Sequence, residues 1–217
     1  MMINKNRLYQ KAEPTREAKV FYIFCEGKRR EVEYFKYFVA LDSRIKLEII
    51  APGEVENNSP EGLYAKACMF MMRTVENPFP KYDFADVDEA WFVVDTDDWK
   101  DKIDNLRSNC QKHQRWFVAQ SNPCFEVWLY YHVYDSAPSS SGMDVAANWK
   151  LLVDKSIHGG FDSRLHPVFI EQAICNAKKN YCKKDGKIAV ASTEVYQLAE
   201  KFFPFIQKII RRLLAKY

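Results

Sequence analysis

Glycine and proline are scarce, at 7 and 9 of 217 residues, which excludes collagenous and low-complexity classes. No stretch approaches the ~18–20 apolar residues of a membrane span, so no membrane association is expected. The opening residues, Met1 to Arg7, are polar and lack the apolar segment of a secretory signal. No C-x-x-C occurs among the six cysteines, and Cys175 and Cys182 are too loosely placed to suggest zinc. Three cysteines lie in or beside apolar segments, so buried free thiols in a cytoplasmic protein are expected. A strong excess of one charge is also missing, with 32 basic against 29 acidic residues and a net charge of +3. Bulk charge therefore gives no support to polybasic binding, and any nucleic-acid contact must come from local patches. There is no repeat of solenoid type and no Walker-type glycine-rich loop, which counts against nucleotidyl transfer.

What the chain does have is apolar and aromatic side chains, 47% and 15% of residues, enough for a sizeable core. Length suits one compact domain with additions. Lys19–Cys25 is a run of β-formers that ends at Glu26-Gly27. Helical spacing follows over Lys28–Leu41, with Val32, Phe35, Phe38 and Val39 on one face. Lys46–Ile50 reads as a second strand, followed by a polar loop through Glu54–Pro60 and a helix from Pro60 to about Glu76. Ala90–Val94 is the third strand, and it runs into Asp95-Thr96-Asp97-Asp98. A helix is expected from Trp99 to Gln111, then a strand over Arg115–Ala119 and an apolar helix over Cys124–Tyr134, with Ser121 as its cap and Pro123 in its first turn. Four strand–helix units predict an α/β fold with a mainly parallel, four-stranded sheet flanked by helices. The segment Ser136–Gly142 reads as a linker, dividing a core at 1–135 from a helical extension at 136–217 that packs on it. In that extension, helices are expected at Met143–Val153, Pro167–Asn180 and from Ser192 onward, the last kinked or divided at Pro204.

Ligands in open α/β sheets bind beyond the carboxyl ends of the strands, so acids at strand ends carry most weight. Glu26 ends the first strand, and Asp95 and Asp97 follow the third on a shared side if the strand continues. Carboxylates ~4 Å apart repel by roughly 4 kcal/mol in a surface-like dielectric, which implies a cation or a shared proton. An all-oxygen set suits Mg²⁺ or Mn²⁺. An Asp-x-Asp-Asp run after a strand also serves as a turn with a helix cap. Lys28, Arg29 and Arg30 follow Glu26 at a helix start, where they either hold an anionic phosphate or form a solvated face. Asn122 and Glu126, four residues apart, would share a helical face and either line the cleft or join a buried polar network. His132, four residues after Trp128, reads as a satisfied core histidine, and the Trp128–Tyr131 run as core. Lys201, Lys208, Arg211, Arg212 and Lys216 would give the last helix a basic face.

These residues resemble a known family. Phe24-Cys25-Glu26-Gly27 with Glu31 and Tyr34-Phe35 is similar to the opening motif of the RloB-like proteins, a Toprim-related family of bacterial anti-phage defence loci. Trp91–Asp98 resembles the family's strand ending in D-x-D, and Ser121–Leu129 with His132 resembles its S-N-P-x-F-E-x-W-L-x-x-H segment. Ser192–Leu198 is a weaker match. One departure is Arg30, where relatives carry Thr. The resemblance implies a Toprim-like core and metal-dependent phosphoryl-transfer chemistry. Glu26 would be general acid/base or metal ligand. Asp95 and Asp97 would hold Mg²⁺ or Mn²⁺, with Asp98 auxiliary, so no His or Cys nucleophile is needed.

The expectation is a Mg²⁺-dependent nuclease or phosphodiesterase acting as effector in abortive infection. RNA, including tRNA, is favoured over duplex DNA because a small, nearly neutral protein offers little surface to a duplex. The resemblance also implies an ABC- or AAA-type ATPase partner, and the chain is open to homo-oligomerisation. The alternative is a non-catalytic module that docks on such an ATPase and regulates it.

Overall fold

The computed structural model describes residues 17–53, 57–96, 99–139 and 141–216. The N-terminal arm, part of the 54–60 loop, Ser140 of the linker, Asp97 and Asp98 lie outside these residues. Four strands, β1 (Lys19–Cys25), β2 (Ile45–Ile50), β3 (Glu89–Asp95) and β4 (Trp116–Asn122), run parallel, as expected. A parallel strand covered on both faces reads as an unbroken apolar run, and the KVFYIFC of β1 is such a run. The sheet order is β2-β1-β3-β4-β7, so the chain steps to one side of β1 for β2 and to the other for β3. That reversal sets the β1/β3 crevice at the topological switch point.

Alternate residues of each strand feed two cores. Phe21, Ile23 and Cys25 of β1, with Trp91 and Val93 of β3, face α1 (Arg30–Lys36) and the C-terminal helices. Tyr22, Phe24, Phe92 and Val94 face α2 (Pro60–Met71) and α3 (Lys100–Cys110). Helix α2 begins where Pro60 follows a Ser59 cap, whose Oγ accepts the Gly62 N–H at 3.2 Å, the pairing expected at a helix start.

After β4, the short α4 (Glu126–Tyr130) is wholly buried, and α5 (Ala146–Ser156) follows the linker. A 3-10 turn at His166–Phe169 leads into α6 (Ile170–Asn180). A hairpin of β5 (Lys183–Lys184) and β6 (Lys187–Ile188), then β7 (Ser192–Thr193), precede α7 (Val195–Leu214). The sheet has a fifth strand because β7 pairs antiparallel with the end of β4, Ser121 opposite Thr193.

That pairing corrects the reading of Ser121 as a helix cap. Strand β4 extends to Asn122, and the buried Ser121 hydroxyl bonds the Thr193 hydroxyl at 2.8 Å. Pro123 likewise lies before α4, not in its first turn. Pro204 does not divide α7, which runs unbroken for 20 residues. Its ring lies on the exposed face, while Phe202, Phe203 and Ile206 anchor the same turns in the core. Arg211, on the expected basic face, clamps α7 to Glu171 of α6, with Nε 3.0 Å from Oε2.

All six cysteines are free, with Cys25, Cys110 and Cys124 buried. His132 is a core histidine as expected: its Nε2 meets the Tyr34 hydroxyl at 3.1 Å and its Nδ1 the Trp128 carbonyl at 3.0 Å. The Trp128–Tyr131 run is core as well. Among the described residues, no helix is long and apolar enough to cross a membrane.

Candidate active site

At the switch point the sheet brings Glu26 and Asp95 together. Glu26 follows β1, and its backbone N–H still bonds Val93 of β3 at 3.1 Å. Its carboxylate then reaches across: Oε2 accepts the Asp95 N–H at 2.9 Å, and Oε1 accepts the Trp99 indole N–H at 2.6 Å. These two donors fix the orientation of the half-buried carboxylate.

Two further acids stand behind this pair. Glu31 of α1 is buried, and its Oε1 accepts the Gly27 N–H at 3.2 Å. Burial pushes the Glu31 carboxyl above the usual range, the nearby Glu126 charge adds to the shift, and the Gly27 bond opposes it. Burial likewise raises the Cys124 thiol, with the Glu126 and Asp95 charges next in weight. Glu126 is therefore within electrostatic reach of both Glu31 and the Cys124–Asp95 edge. Gly27 suits this close approach, because a Cβ there would stand 2.6 Å from the Glu31 carboxyl carbon and force that buried carboxylate to shift.

The other expected site residues fall elsewhere. Asn122 is the last residue of β4 and does not share a helical face with Glu126, because the strand continues through it. Its amide donates to the Ile188 carbonyl at 2.8 Å and ties β4 to the hairpin. Arg29 and Arg30 line a separate cavity of about 730 Å³. Arg29 pairs with Glu33 at 3.0 Å and Arg30 with Asp154 at 3.6 Å, so both are already matched by acids. Lys28 is exposed. Asp97 and Asp98 lie outside the described residues.

The residues that sequence reading gave no role are those that hold the β3 and β4 ends. The Thr96 N–H bonds the carbonyls of Ser121 at 3.0 Å and Pro123 at 2.9 Å. Its hydroxyl donates to the Ser121 carbonyl at 2.8 Å and accepts from the Gln120 amide at 2.7 Å. Gln120 is held in turn by Arg107 at 2.9 Å, and Arg107 pairs with Glu194. Glu194 is 2% exposed and also accepts from the Tyr181 hydroxyl at 2.8 Å. Glu31 and Glu194 do stand in matched motifs, the only sequence signal for either. Trp99, Gln120 and Arg107 carry none.

Among the described residues, no group of three or more His, Cys, Asp or Glu side chains is placed to hold a metal. Glu26 and Asp95 supply hard oxygen donors of the kind Mg²⁺ takes. Mg²⁺ needs only one or two carboxylates when waters and substrate phosphates complete its shell, so the donor set fits that ion in kind.

The chain matches no curated protein and no solved structure. The model of the RloB-like protein family matches residues 21–202. That span takes in both acids of the crevice, the main sheet except the first two residues of β1, and the buried Glu194, and the chain belongs to the RloB-like protein family.

Proposed function

We propose that the protein is a Mg²⁺- or Mn²⁺-dependent phosphodiesterase of Toprim type, a nuclease acting on RNA in anti-phage defence. The observation that carries this reading is the convergence of Glu26 and Asp95 at the switch point, with the Glu26 carboxylate bonded to the Asp95 N–H. Asp95, and Asp97 by the family resemblance, would hold the metal. When bound, the metal polarises the scissile phosphate and activates water. Glu26, oriented by Trp99 and the Asp95 amide, would move the proton of the attacking or leaving oxygen. The preference for RNA rests on the small size and nearly neutral net charge of +3, and an ATPase as partner on the family resemblance.

The test is calorimetric titration of Mg²⁺ and Mn²⁺ into wild type and Asp95→Asn, with cleavage of bulk cellular RNA followed in parallel. The expected outcome is metal binding and cleavage in wild type, and a loss of about 100-fold or more in the variant, the scale on which one preorganised electrostatic group acts. A wild type that binds neither metal overturns the reading and leaves the interaction module.

A further inference from the structure

A cavity of about 640 Å³ opens at the ends of β3 and β4; Thr96, the residue after Asp95, lines it, while Glu26 and Asp95 themselves do not. Its size matches a site for one small organic ligand. A base in a duplex is stacked and paired and cannot enter such a cavity unless it is flipped out.

The lining says what kind of ligand. Thr96, Gln120 and Asn122 form a floor of hydroxyl and carboxamide groups. Their positions are fixed by the Arg107–Gln120–Thr96 chain and by the bond from Asn122 to Ile188. Carboxamides pair with base edges, and unstacked single-strand bases are read in this way. Pro123, Val145 and Ile188 supply apolar surface for ring faces. Arg107, Lys183 and Lys187 add cations, but Asp101, Asp104 and Asp144 stand among them. Three positive and three negative side chains leave the described lining with no net charge. Arg107 is bound to Glu194, and Lys187 to Asp101 at 3.1 Å. A neutral lining of this kind is poor for a polyphosphate and suited to a nucleoside.

We propose that this cavity receives the base and sugar of one unpaired nucleotide of a single-stranded nucleic acid, next to the phosphodiester held at Glu26 and Asp95. The proposal rests on the phosphodiesterase reading and adds to it a requirement for an unpaired substrate. Ala147, exposed on the first turn of α5 and part of the lining, is the position at which the cavity can be filled without touching the core.

The experiment is fluorescence anisotropy in EDTA with short fluorescein-labelled single-stranded RNA, its DNA counterpart and the matching duplex. Wild type binds the single strands at least about tenfold tighter than the duplex, and Ala147→Trp loses about tenfold in single-strand affinity. EDTA removes the metal on which cleavage depends, so this binding comparison reads the cavity apart from the catalytic step. Binding of RNA alone supports the proposal and assigns ribose, and binding of RNA and DNA alike supports it with no requirement for the 2′-hydroxyl. Cross-linking of 4-thiouridine RNA to wild type, independent of any variant's folding, places adducts on residues 144–147 or 183–188. Overturning outcomes are an Ala147→Trp that binds as wild type, a wild type that binds duplex equally well or binds no strand, or adducts confined to other peptides.

Discussion

Two buried titratable side chains give the protein an opposed response to pH. His132 has its pKa pushed down to about 3, first by burial and then by nearby His166, against its bond to the Trp128 carbonyl. The folded state therefore holds the ring neutral, while the unfolded chain takes up a proton below about 6.5. Stability from this group is present above that value and is lost as pH falls toward about 3, at about 1.4 kcal/mol per pH unit. Glu31 runs the other way. Its raised pKa contributes stability that is complete below the unfolded value of about 4.3 and is lost as pH rises through the folded value. The comparison to make is thus between wild type and His132→Gln, by urea unfolding at pH 7.5 and pH 5.0 (values chosen to bracket about 6.5). The variant's stability should depend less steeply on pH over this range, and equal slopes would remove His132 from the account.

At the scale of elements, the parallel strands were legible because burial on both faces leaves an apolar run, and Glu26 and Asp95 were legible because each stands where such a run stops. Strand β7 was not legible. Ser192-Thr193 has no strand signature of its own and is a strand only because β4 lies beside it, with Thr193 opposite Ser121. The same distance in sequence hid the indole of Trp99 from Glu26, 73 residues away, and Glu194 from Gln120, 74 residues away. Local pattern carries helix starts and core faces, and it carries nothing about which loop a distant side chain will brace. Pro204 is the opposite case, where a division of the helix expected from local signal is overridden by packing. An interior proline costs a helix ~3 kcal/mol, and α7 bears that cost because the core residues around it hold the turn. Pro204→Ala restores the N–H on an exposed face and should raise stability by about 1–3 kcal/mol in urea unfolding. No gain would mean that the proline is matched to a bend the core requires.

Over the whole molecule, one core runs across the Ser136–Gly142 segment. Phe202 of α7 meets Phe21 of β1 at 6.3 Å and Phe38 at 5.3 Å between ring centroids. Trp149 and Val153 of α5 and Ile170 of α6 belong to the same cluster. A fragment of residues 1–135 would expose that face of β1 and β3, and it should show no cooperative transition in urea followed by circular dichroism. A sharp transition would establish the first 135 residues as an independent unit. The pairing of β7 with β4 also bears on the order of events during synthesis. Gln120 and Asn122 are made early, yet the partners that fix them, Glu194 through Arg107 and the carbonyl of Ile188, come some 70 residues later. Strand pairings between segments so far apart in the chain are slow to form, and a nascent chain folds from its N-terminal end. Until residue 194 has left the ribosome, the walls of the cavity beside Asp95 are incomplete, so a cell translating this chain carries the growing polypeptide with its site unfinished.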